Sequence, residues 1–219
     1  MADTGWRCAT CQAEVPVASP LVFRCPNATP DDPRHVLQIV SAPRVAAPER
    51  VRNTFVNDDR HLAWAAFAAA HGMDRERRNE LVEELDDAIR AVDGAGFTAT
   101  PFERSAGLSN ELHMSDRGGI WVKDETGGVG GSQKARFLFS ILLHLRAAEV
   151  LGLLPDRPPL AIASCGNAAL AAATLAKAAR WPLDVYVPTW MSDGFGDRLD
   201  QLGARVHRSE RRADDPPGD

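Results

Sequence analysis

At 219 residues, with 44% hydrophobic and 25% charged residues, the chain has the balance of a globular protein that buries a core, as one large domain or two small ones. A net charge of −5, with arginines interleaved among acids as in DRERRNELVEELDD, excludes a general nucleic-acid binder and makes that run a solvated helix face. Met1 to Gln12 is too polar for a signal peptide, and the longest apolar run, Phe137 to Leu145, is broken by Ser140 and His144 and is too short to span a bilayer. The expectation is a cytoplasmic protein that contacts neither membrane nor nucleic acid.

Three regions follow in chain order. Residues 1–45 are rich in Cys, Pro and turn formers, with short extended pieces at Pro20 to Phe23 and Val36 to Val40. Four cysteines, two of them in a C-x-x-C pair, suit a reducing compartment and a metal site better than a disulfide framework. Cys8-x-x-Cys11 is one knuckle of a zinc-ribbon pattern, and Cys25-Pro26 opens a second. Ala28 stands where the fourth cysteine is expected, and His35, at an irregular spacing, could complete a Cys₃His set. Cys8, Cys11 and Cys25 are thus candidate metal ligands. A ribbon that packs without metal is the alternative that the spacing leaves open.

Residues 46–116 form a helical connecting region. HLAWAAFAAAHG is one helical segment and RERRNELVEELDDAIRAVDGAG a second, with Leu81, Leu85 and Ile89 four apart and Gly94 and Gly96 closing it. From residue 117 to 219 strands and helices alternate. GIWVKDE, PPLAIAS, PLDVYVP and ARVHR read as strands; SQKARFLFSILLHLRAAEVLG, GNAALAAATLAKAAR and SDGFGDRLDQLG read as helices. That alternation predicts an α/β fold with a mainly parallel sheet. Ligands in such sheets bind beyond the carboxyl ends of strands, and DETGGVGGSQK and SCGNAA both fall there, on one predicted sheet edge. The polar tail HRSERRADDPPGD shows no strand or helix pattern.

Within GGVGGSQKARFLF, residues 127–139, the lysine is conspicuous: the chain has three lysines, Lys123, Lys134 and Lys177, against twenty-two arginines. A charge alone could be arginine, whereas an amine that must be deprotonated to react has to be lysine. The loop is not a P-loop, because Gln133 and Ala135 flank the lysine, nor a dinucleotide fingerprint, because Gln133 replaces the last glycine. A tight turn with a solvated lysine remains a possible reading. Against it, a cation at a helix N-terminus costs about 0.3–1 kcal/mol, and the same field favours the neutral amine that Schiff-base chemistry needs.

VKDETGGVGGSQKAR followed by SCGNAA resembles the fold-type II pyridoxal-phosphate (PLP) enzymes, the tryptophan synthase β superfamily that includes threonine synthase and the serine and threonine dehydratases. Thr100-Pro101-Phe102 with Leu108-Ser109 is similar to that family's entry segment, and VYVPTWMSDGFGDRLDQLGARV to its downstream unit. The likeness spans about residues 99–207 and implies a PLP-dependent, threonine synthase-like lyase or synthase acting on a small amino acid. By that resemblance Lys134 forms the internal aldimine and later shuttles the α-proton. Asn167 bonds the cofactor's 3′-hydroxyl. Ser164, Cys165, Gly166, Asn167 and Ala168 cap the substrate carboxylate at a helix N-terminus. Cys165 reads as a small polar wall residue and not a nucleophile, and His113, His144 and His207 as surface or core residues. The family's second glycine-rich loop, which holds the cofactor phosphate, and its pyridine-nitrogen ligand lie in a C-terminal half with no counterpart after Val206. The expectation is a partial chain, completed by a missing half or as a homodimer. A catalytically incomplete, partner-dependent module with a zinc ribbon is the alternative.

Overall fold

The computed structural model describes residues 5–40, 53–57 and 61–210. The chain divides into two compact units: Met1–Asp87 with Phe137–Pro158, and Ala88–Arg136 with Pro159–Asp219.

The first unit begins with a three-stranded antiparallel sheet of β1 (Gly5–Cys8), β2 (Glu14–Pro16) and β3 (Leu37–Val40), in the order β2-β1-β3. β3 falls where the extended run was predicted. Pro20 to Phe23 do not form a strand; they lie in turn and irregular backbone, with Leu21 at a positive φ of 52°. A short helix α1 (Thr54–Asn57) precedes α2 (Ala63–Ala70) and α3 (Arg75–Asp93), the two predicted helices. Along α3 the four-residue spacing buries Leu81, Leu85 and Ile89, and Gly94 ends the helix at φ 88°, a left-handed turn that glycine adopts without steric cost. The core of this unit includes Trp64, Phe67, Leu81, Leu143 and Phe139, with Phe55 set edge-on to Phe139 at 4.7 Å.

The second unit contains two separate sheets. β4 (Phe102–Ser105) pairs antiparallel with β5 (Ile120–Lys123), and α4 (Ala106–Glu111) lies between them in sequence. Ser109 ties this corner together: its buried hydroxyl accepts from Ile120 N at 2.9 Å and donates to Ser105 O. After β5 a tight 3₁₀ turn, Val129–Gly131, leads into α5 (Lys134–Val150), whose later part lies in the first unit. Then β6 (Leu160–Ala163), α6 (Asn167–Ala179), β7 (Leu183–Pro188), α7 (Asp193–Gln201) and β8 (Arg205–Ser209) alternate, and the strands form a parallel sheet in the order β6-β7-β8.

The α/β class with a parallel sheet is as the sequence predicts. Two expectations change. The GIWVKDE strand is not part of the parallel sheet, because its hydrogen bonds go to β4 in antiparallel register. The predicted ARVHR strand runs one residue further than read, to Ser209, which pairs with Pro188, since backbone pairing does not require apolar side chains at an edge. Residues 211–219 lie outside the described residues. No described helix is long and apolar enough to cross a membrane.

Candidate functional site

The residues around GGVGGSQK fall into a clamp, a turn and a free amine. The clamp joins the end of β5, the segment before β4 and the first turn of α5. Glu125 accepts from Thr100 Oγ1 at 2.6 Å through one oxygen and from Arg136 Nε at 2.8 Å through the other. Arg136 also donates to Thr98 O at 2.9 Å, and Lys123 Nζ donates to Thr100 O at 2.6 Å. Burial alone would raise the Glu125 carboxyl, but Thr100, Arg136 and Lys123 outweigh it and hold the group below the usual carboxylate range. Glu125 and Arg136 therefore pin both ends of the loop that carries Lys134. Sequence reading noted Lys123, Glu125 and Arg136 only as motif letters, and it missed their mutual contact.

The turn needs its glycines. Gly130 and Gly131 both take φ of 65°, in the left-handed region that side chains rarely enter. Gly130 also sits against α6, where an added Cβ would stand 3.7 Å from Ala171 Cα, and its N–H points at both carboxylate oxygens of Asp93 at 3.3 Å. Asp93, the last residue of α3, had no sequence signal for this role. Asp124 opens the loop as a turn by accepting from Thr126 N at 2.9 Å and Thr126 Oγ1 at 2.6 Å, and these bonds, the hydroxyl's first, lower its carboxyl pKa.

Lys134 is the first residue of α5, with its own N–H donating to Ser132 Oγ at 3.3 Å. Its side chain is exposed, and among the described residues Nζ has no hydrogen-bond or ion-pair partner. The other two lysines are occupied: Lys123 by Thr100, and Lys177 by Gln201 O at the end of α7, 2.8 Å away.

The SCGNAA segment follows β6 as predicted. Ser164 N donates to Tyr186 O at 3.1 Å, which fixes the segment to β7, and Ser164 Oγ accepts from Gly166 N at 3.3 Å. Gly166 is the N-cap of α6 and Asn167 its first residue, so the N–H groups of Asn167 and Ala168 lack intrahelical acceptors and can receive an anion. Cys165 and Asn167 are exposed; Ser164, Gly166 and Ala168 are partly so. The glycine turn packs through Gly130 against Ala171 in α6, and the two loops do not leave adjacent strands of one sheet. Lys134 and residues 164–168 belong to the same unit. His144 packs on Phe67 at 4.3 Å, and burial lowers its pKa; His207 stacks on Tyr186 and bonds Asp184.

In the other unit Cys8, Cys11, Cys25 and His35 converge, with their ligand atoms all within 4.8 Å of one another, an arrangement that could hold a metal ion. Burial opposes ionisation of Cys8, yet the Cys11 and Thr10 N–H groups and the neighbouring thiols bring its pKa down to about 6, while burial leads the causes that raise Cys25. Asp32 raises His35 to about 9. Cys165 stands outside this cluster.

A family model described as pyridoxal-phosphate dependent enzyme matches residues 95–217. Among solved structures, a PLP-dependent aspartate racemase is 25% identical with a TM-score of 0.45, covering 59% of this chain and 37% of its own. Threonine deaminase isoform 2 from Solanum lycopersicum is 18% identical with a TM-score of 0.43, covering 77% of this chain and 41% of its own. O-ureido-L-serine synthase is 22% identical with a TM-score of 0.42, covering 56% of this chain and 35% of its own. The chain thus spans 35–41% of the length of these structures. No curated protein matches it.

Proposed function

Given that the chain belongs to the pyridoxal-phosphate dependent enzyme family, we propose that it carries the lysine-bearing part of a PLP site and acts, threonine synthase-like, as a lyase or synthase on a small amino acid. The observation that carries this reading is the state of Lys134. Of three lysines it alone has no partner among the described residues, and it stands at a helix start behind a glycine turn held by Asp93 and the Glu125–Arg136 pair. These residues fit the group: an accessible amine for an aldehyde at the start of α5 and, in the same unit, unfilled N–H groups at the start of α6 for an anion.

Lys134 would hold the cofactor covalently. In the reaction its amine would take the substrate α-proton and return it. Asn167 would donate its side-chain N–H to the cofactor's ring oxygen, and the N–H groups of Asn167 and Ala168 would bind the substrate carboxylate within the wall formed by Ser164, Cys165 and Gly166. PLP supplies the electron sink for charge developing at the substrate Cα. A second reading keeps these residues and makes the site dependent on a partner copy or a second polypeptide. The exposure of Lys134, Cys165 and Asn167 among the described residues is what favours it.

The test is to incubate the purified chain with PLP, reduce with borohydride and map the modified peptide. Attachment at Lys134, lost in Lys134→Ala and kept in Lys177→Ala, is the expected result. A chain that takes up no PLP, or takes it up equally at all three lysines, overturns the proposal. Turnover of a hydroxy amino acid by the loaded chain alone would overturn the partner-dependent reading.

A further inference from the structure

Residues 5–40 raise a question of stability apart from the cofactor site. Their three strands have only four, three and four residues, and the only buried side chains among these residues are Cys8 and Cys25. Although the segment belongs to the larger first unit, it buries almost no apolar surface of its own, which makes it a place for a covalent or metal staple. All four cysteines carry free thiols, which leaves the metal.

We infer that Cys8, Cys11, Cys25 and His35 bind one structural zinc ion, with Asp32 orienting the histidine. Distances decide in its favour. Tetrahedral zinc, with bonds of about 2.3 Å to sulfur and 2.0–2.1 Å to nitrogen, places its ligand atoms about 3.5–3.8 Å apart. Cys11 Sγ and Cys25 Sγ stand 3.5 Å apart, as do Cys8 Sγ and His35 Nδ1. The widest separation among the four ligand atoms stays within 4.8 Å. Three thiolates and an imidazole form a soft, four-point donor set that suits zinc and offers nothing to magnesium or calcium.

The surroundings are those of ligands and not of packing thiols. His35 turns Nδ1 to the cysteines, and its Nε2 lies 3.2 Å from Asp32 Oδ2, the carboxylate partner that fixes tautomer and ring orientation in metal-bound histidines. The second knuckle keeps its turn although Ala28 has replaced the cysteine: Ala28 N donates to Cys25 O at 3.1 Å and Asn27 N to Cys25 Sγ at 3.4 Å. Asn27 Nδ2 reaches Cys11 Sγ at 3.4 Å, joining the two knuckles. β3 runs antiparallel to β1, with Cys8 opposite Leu37, and this return brings His35 to the fourth corner. With all four positions taken by protein, the ion is structural and closes the ribbon.

Metal analysis of the full chain, purified without chelator, tests the inference. One zinc per chain is expected, replaceable by cobalt with a thiolate charge-transfer band and the visible bands of a tetrahedral site. Cys11→Ser and His35→Ala should lose the ion or the tetrahedral spectrum, while Cys165→Ser should retain both. Asp32→Asn, which leaves all four ligands in place, should bind zinc about 10–100-fold more weakly in competition with a chromophoric chelator. A reduced chain that carries no zinc and takes up no cobalt overturns the site. So does iron in its place, or zinc content that Cys165→Ser lowers as much as Cys11→Ser.

Discussion

Residues 5–40 and residues 159–210 each fold around a three-stranded sheet, yet they bury different chemistry. In the first, two thiols are the whole of the buried side-chain set. In the second, Ala169, Ala171, Leu175, Val185, Val187 and Leu199 fill the space between α6, α7 and the parallel strands. Short strands with polar neighbours cannot remove enough apolar surface from water to offset the entropy of ordering the chain, so specific donors must hold them. A βαβ unit meets the same cost with area alone. The polar residues at its β6–α6 loop are then released from structural duty, and Cys165 and Asn167 stand exposed there.

The comparison breaks most sharply under chelation. Stripping metal from the full chain should abolish amide protection in β1 to β3, while β6 to β8 keep theirs, as read by hydrogen exchange. Equal loss in both sheets would show that the ribbon does not stand on its ion. Next in size is Leu199→Ala, which truncates a fully buried side chain and should cost about 2–5 kcal/mol in urea unfolding without changing metal content. Glu125→Gln should cost about 1–3 kcal/mol, because Arg136 and Thr100 lose a charged acceptor, and PLP attachment at Lys134 should fall with it.

The smallest effect depends on pH. Asp184 is bonded by Arg205 at 2.6 and 2.8 Å and by His207 at 2.7 Å, and these partners hold its carboxyl well below the usual range. A carboxyl lowered by folding adds stability above its unfolded value and loses it as pH falls through the folded one. Asp184→Asn should therefore lower the melting temperature near neutral pH, and the gap from the unaltered chain should close in acid. A gap that stays constant with pH would show that the bonds matter for shape and not for charge.

Local patterns were the legible part of this protein. The four-residue spacing of Leu81, Leu85 and Ile89 marked the buried face of α3, and the step from glycine turn to greasy run marked the start of α5 at Lys134. Such signals depend on neighbours a few residues apart, which one sequence contains. The pairing of β5 with β4 was not legible, because a strand's partner is chosen by distant residues, and β5 leaves Trp121 and Val122 exposed in the pairing it takes. The clamp on the lysine loop escaped for the same reason: Thr100, Glu125 and Arg136 are separated by up to 36 residues and meet only when β5 ends beside α5.

By itself, then, the sequence determined the helices α2 and α3, the order of helices and strands from residue 117 onward, the lysine at a helix start and the first thiol knuckle, since each is written in short-range spacing. The tertiary structure alone decided which strands pair, that Glu125 and Arg136 seat the loop and that Asp93 receives Gly130. It also brought His35, with Asp32 behind it, to the place that Ala28 cannot fill. Those are contacts between groups far apart in the chain. Their geometry exists only once backbone pairing has closed the distance.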